Sequence, residues 1–263
     1  MLDLFECLFI PLYAILFLLV AATPLIIIYL FFRLTSEAFE HVGFSHWHAI
    51  LMVFGSVLGS TVDIPLSANP ITAYPPAFLN VISIISPVLE LNFPISFHPI
   101  TLAVNLGGCI IPVIVSLAII LRCQVSAKKA ILGSLIVAAV AYQVAIPVAD
   151  EGILLPVYVS PTLAAICGLT LATRLQSAPA LAYISGSMGT LLGADIFNLL
   201  TPGVLPALAP PTSNTPSIVL SIGGAGIIDG IFLTGVFAVL LAAMVVHLFH
   251  RSGDPLPTSC AKT

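Results

Sequence analysis

Charge is nearly absent from this chain, and that scarcity limits its possible folds more than any other feature. Asp, Glu, Lys and Arg together make up 7% of the 263 residues, and 59% are hydrophobic. A soluble domain carries about 25% charged residues. A chain this poor in charge cannot cover a water-facing surface of its own size. With a mean hydropathy of +1.18, it reads as a polytopic membrane protein. A span needs about 20 apolar residues, so the length holds about seven spans in a single integral membrane domain over 1–263. The expected fold is all-α, a transmembrane helical bundle whose first partner is the lipid bilayer.

The apolar runs place spans near 8–32, 47–64, 100–121, 130–148, 154–172, 178–200 and 217–249. Pro11 and Pro24 are candidate kinks in the first. Residues 65–97 are rich in Pro and Asn and read as an extracytoplasmic insertion with a short interfacial or re-entrant element around Pro87 and Glu90. This count puts Arg33, Arg122, Lys128, Lys129, Arg174, Arg251 and Lys262 all on one side. Basic loops stay cytoplasmic, so the N-terminus is expected outside and the C-terminus in the cytoplasm. Asp3, Glu6, Asp150 and Glu151 then lie on the outer side.

Two stretches resemble each other. Span two contains Gly55-Ser-Val-Leu-Gly59 followed by Asp63-Ile64, and span six contains Gly189-Thr-Leu-Leu-Gly193 followed by Asp195-Ile196. The next spans begin Ile100-Thr-Leu-Ala-Val-Asn-Leu-Gly-Gly108 and Ile218-Val-Leu-Ser-Ile-Gly-Gly-Ala-Gly226. Chance likeness among Gly-rich apolar segments is one account. The other is a parallel repeat of spans 2–3 and 6–7, an arrangement found in transporters. Glycines four apart also allow helices to approach closely, whatever their function.

Intramembrane carboxylates are costly and mark candidate sites. Asp195 and Asp63 fall near outer ends of spans. Asp229 falls about 18 Å into span seven if that span is one helix rising about 1.5 Å per residue. Four glycines in Ser221–Gly230 suggest a broken helix with exposed backbone. The candidate substrate or ion path is therefore Asn105, Asp195, Gly223, Gly224, Asp229 and Thr234, with Asp63 and His98 secondary. Asn105, ahead of Gly107, Gly108 and Pro112, is placed to reach Asp195 or Asp229, or simply to tie helices together. Tyr183, Ser185, Ser187 and Thr190 give span six a polar stripe. His41, His46 and His48 flank Trp47 as an interfacial anchor. Cys/His spacing for zinc or iron–sulfur is missing, so no metal or cofactor is expected. Seven basic residues leave no footprint for nucleic acid.

The segments Ser185–Asn198, Ser221–Gly235 and Val104–Pro112 resemble the DUF1614 family of uncharacterised prokaryotic membrane proteins, with likeness from about Trp47 to Leu248. The resemblance implies a multi-pass core around Asn105, Asp195 and Asp229 in a prokaryotic inner membrane, and carries no activity with it. Three functions remain open. A small ion- or proton-coupled permease or channel is the first; seven short spans are few for a full transporter, so a homodimer is expected with it. An accessory subunit of a membrane complex is the second. An intramembrane aspartyl protease using Asp195 and Asp229 is the third, and the one enzyme among them; it lacks the Gly-x-Gly-Asp pattern and needs both carboxyls close enough to share a proton.

Overall fold

The computed structural model describes residues 2–66, 71–72, 99–122, 125–149, 152–208, 218–224 and 230–249. The chain is mostly helical, and strands cap one end of its helices. Helix α1 (Leu2–Val42) runs unbroken through Pro11 and Pro24. It is followed by α2 (His46–Gly59) and the short strands β1 (Asp63–Pro65) and β2 (Ile71–Thr72). Strand β3 (Pro99–Asn105) leads through a π-helical stretch, Leu106–Ile110, into α3 (Ile111–Arg122). Helix α4 (Ala127–Val144) precedes a hairpin of β4 (Ile146–Val148) and β5 (Gly152–Leu154). Helices α5 (Val159–Leu171) and α6 (Ala178–Thr190) come next. A second π-helical stretch, Leu191–Phe197, continues α6 into a last turn, Asn198–Leu200. The last described elements are α7 (Val204–Leu208), β6 (Ile218–Ile222) and α8 (Gly230–Phe249).

Among the described residues, four helical segments are long and apolar enough to cross a membrane: Ala22–Val42, Ala127–Val144, Leu175–Leu200 and Gly230–Phe249. His46–Gly59, Leu106–Arg122 and Val159–Leu171 are apolar but shorter. They are short because three expected spans are extended at one end. Residues 100–105 and 152–154 form strands, and α2 stops at Gly59, four residues before β1; the seventh run also begins as a strand, at 218–222, though its helix keeps a membrane-crossing length. The all-α expectation is corrected at these points. In a wholly apolar run, hydrophobic periodicity cannot separate strand from helix. The local choice falls to residue type, and Ile100-Thr-Leu-Ala-Val and Ile218-Val-Leu-Ser-Ile are rich in β-branched residues that suit strands.

Helix α6 is the central post. All of its residues except Met188 are buried, with α4, α5 and α8 packed around it. Its Ala, Gly and Ser residues let those neighbours come close, as small residues do where helices meet in lipid. Phe39, Val42, Val53, Val115, Ile119, Tyr183 and Phe232 share one apolar core. The Phe39 ring sits 5.6 Å from Tyr183 and 6.0 Å from Phe232. Earlier in α1, Leu25 through Leu30 are all exposed. Six consecutive exposed apolar residues cover the whole circumference of a helix, which is a surface suited to lipid.

The sheet collects the other helix ends. β3 lies at its centre, antiparallel to β1 and β2 along one edge and parallel to β6 along the other. Ile100 and Leu220 anchor it on Val204 and Leu208 of α7. Arg122, Lys128, Lys129 and Arg174 flank the opposite helix ends, where the Lys129 ammonium donates to the Thr173 hydroxyl across 3.3 Å.

Candidate carboxylate site at the sheet end of the bundle

Asn105 is the last residue of β3 and the cap of the π-helical stretch that follows. Its side-chain oxygen accepts from the Gly108 N–H at 2.9 Å. Its amide nitrogen donates to the Ser60 carbonyl at 2.9 Å and to the Asp63 carboxylate at 3.0 Å. Pro112 explains why the helix opens here. It brings no N–H for a carbonyl one turn earlier, and the Ile111 N–H reaches back to Leu106, the wide spacing of a π-turn. Asn105 is 2% exposed, and all of its bonds stay within this corner.

Asp63, a secondary candidate in the sequence, is thus the carboxylate that Asn105 meets. Asp63 and Asn105 are paired residues in the β1–β3 ladder. The Ser221 hydroxyl, on β6, donates to the same Asp63 oxygen at 2.5 Å. Ser221 was not singled out from sequence. Its signal was available, because it stands opposite Ala103 in the alignment of the two similar stretches, one position before Val104 and Ile222.

Asp195 lies on the second π-helical stretch and is partly buried. Its Oδ2 accepts from the Gly223 N–H at 2.7 Å. Gly223 follows β6 directly and turns with φ of 104°, and Gly224 continues with φ of 99°. A Cβ at Gly223 would stand 2.6 Å from the Cys109 backbone nitrogen. Only glycine lets the end of β6 turn away while lying on the first π-helical stretch. Asn198 donates to the Gly193 carbonyl at 3.0 Å, satisfying an acceptor released by the π-turn.

The remaining candidates part company. Thr234 is buried inside α8 and donates to the Gly230 carbonyl at 2.8 Å, so its hydroxyl serves its own helix. His98 and Asp229 lie outside the described residues. The 18 Å depth for Asp229 assumed one helix over 217–249, and that assumption fails: 218–222 is extended and α8 starts at Gly230. The 65–97 insertion also lies outside the described residues, apart from 65, 66, 71 and 72. At the other end of the bundle, His46 Nδ1 meets Glu40 at 2.6 Å and His48 Nδ1 meets the Ser45 hydroxyl at 2.6 Å, both exposed.

The segments that build this corner fall within residues 57–241, which match the family described as Protein of unknown function (DUF1614). The chain belongs to the DUF1614 family. No curated protein and no solved structure matches it. Every residue of the corner, from Ser60 and Asp63 to Gly223, is inside the matched range, whereas α1 and most of α2 precede it.

Proposed function

We propose that this DUF1614 protein is a small ion- or proton-coupled membrane permease or channel-like protein in which Asp195 is the working carboxylate. One observation carries the reading. Asp195 sits on an irregular helical turn and is held by a backbone N–H at the point where a strand gives way to a membrane-length helix. Interrupted backbone beside a half-buried carboxylate is how membrane carriers expose polar groups to a solute. π-turns recur at such functional positions. Ser185, Ser187 and Thr190 on α6 support it: they are buried hydroxyls that no described residue satisfies, and they give the central post a polar lining.

The reading includes seven spans, the three shorter helices counted with the strands that extend them. It places the sheet outside and the lysine and arginine ends in the cytoplasm of a prokaryotic inner membrane. It also includes a parallel repeat of spans 2–3 and 6–7. The support is that Ile100 through Val104 pair in parallel with Ile218 through Ile222, residue for residue. Asp63 stands beside Asn105 as Asp195 stands beside Gly223. A homodimer would supply further transmembrane surface.

The test is ion flux into liposomes holding the purified chain, followed with an internal pH dye under a potassium or proton gradient. Wild type moves ions, Asp195→Asn abolishes the movement, and Asp195→Glu retains part of it. No flux, or equal flux from Asp195→Asn, rejects the reading. Intramembrane aspartyl proteolysis is the second reading, favoured by the placement of the Asp195 carboxylate beside the end of β6. It needs Asp229 within about one bridging water of Asp195, and it requires peptide cleavage lost in both Asp195→Asn and Asp229→Asn.

A further inference from the structure

The hydrogen bonds of the sheet fix which way each residue of β6 faces. Leu66 N–H donates to the Leu102 carbonyl and Leu106 N–H to the Val62 carbonyl. Leu102, Val104 and Leu106 therefore turn their backbone groups toward β1. Alternation turns Thr101, Ala103 and Asn105 toward β6. In the parallel register Thr101 opposite Val219 and Ala103 opposite Ser221, those groups are answered by Ile218, Leu220 and Ile222. Val219 and Ser221 then direct their N–H and C=O to the far edge of β6, where no described residue pairs with them. The next N–H on that edge belongs to Gly223, and the Asp195 carboxylate accepts it. Val219 is 56% exposed, and Leu220 on the opposite face is buried.

We propose that the far edge of β6 is a binding site for an extended peptide segment with a positive charge near Asp195. Donors and acceptors repeating every second residue, about 6.5 Å apart, match another extended backbone and little else. An unpaired strand edge is a template for such pairing. The charge of the partner follows from complementarity. Asp63 and Asp195 lie at this end, and Arg122, Lys128, Lys129 and Arg174 flank the opposite helix ends. The inference does not rest on ion movement: a chain that conducts nothing yet binds peptide keeps it.

The test uses the full chain in lipid nanodiscs. The probe is the fluorescein-labelled peptide Val-Thr-Val-Arg-Val-Thr-Val amide, titrated by anisotropy. Saturable binding is expected, weakened at least about tenfold when the peptide backbone is N-methylated, since its donated backbone hydrogen bonds are lost. Val219→Pro removes an outward N–H and spares the β3 ladder, so it should weaken binding similarly with an unchanged circular dichroism spectrum. Replacing the arginine by neutral citrulline should weaken binding to wild type and make no difference to Asp195→Asn. The proposal is overturned by absence of saturable binding or by equal binding of the N-methylated peptide. The second comparison needs only wild-type protein, so it stands even where Val219→Pro does not fold. A disulfide joining two copies through Val219→Cys in place of peptide binding would assign the edge to a second copy and overturn it too.

Discussion

Gly223 carries two constraints at once, a left-handed φ and a neighbour 2.6 Å from where a Cβ would stand. Gly152 has only the first, since its φ is 109° and nothing lies within 4 Å. Gly223→Ala should therefore cost about 2–5 kcal/mol from strain and overpacking together, against about 1–2 kcal/mol for Gly152→Ala. Thermal unfolding in detergent, with Gly223→Ala melting well below Gly152→Ala, checks this. Asn105→Ala removes a cap and two donated bonds and leaves the Ser60 carbonyl short of a partner. A loss of about 2–4 kcal/mol is expected. Ser221→Ala removes one bond at an exposed position and should cost about 1 kcal/mol or less. Near-equal melting of the two variants would show that Asn105 does not hold this corner together.

At the scale of elements, the first π-helical stretch is pressed against α2 through glycine. A Cβ at Gly107 would meet the Ser56 carbonyl oxygen at 2.1 Å, and one at Gly59 would meet the Gly107 nitrogen at 2.9 Å. The Ser56 hydroxyl donates to the Gly107 carbonyl at 2.9 Å across the same contact. Gly107→Val should cost more than about 3 kcal/mol, because backbone and not a flexible side chain must move. Gly230→Ala, with nothing within 4 Å, should change stability by less than about 0.5 kcal/mol. Yield of monodisperse protein after purification separates the two. The sequence announced the close approaches through its small residues, but not their partners: Gly193 packs on Ala138 of α4, and Gly59 packs on Gly107.

For the whole molecule, the seven-span arrangement predicts opposite sides for the two ends of the bundle. In a cysteine-free background, Ser126→Cys should react with an impermeant maleimide only after the cell is opened, and Val157→Cys should react from outside intact cells. Labelling of both from one side would reject the arrangement. The scarcity of charge determined by itself that this is a membrane-type chain of apolar helices, because burial of apolar surface depends on composition and length alone. The glycines of 221–230 likewise marked a break in the last run, because a missing Cβ acts locally, whereas α1 runs unbroken through Pro11 and Pro24. Which carboxylate meets which partner was decided only by the tertiary structure. Asn105 reaches Asp63 because β1 and β3 are neighbours, and Asp195 reaches Gly223 because β6 ends beside the second π-turn. Strand or helix was equally undecided in those apolar runs. Their periodicity carries no signal, and it is the pairing of β3 with β6, segments more than a hundred residues apart, that satisfies their backbone groups as strands.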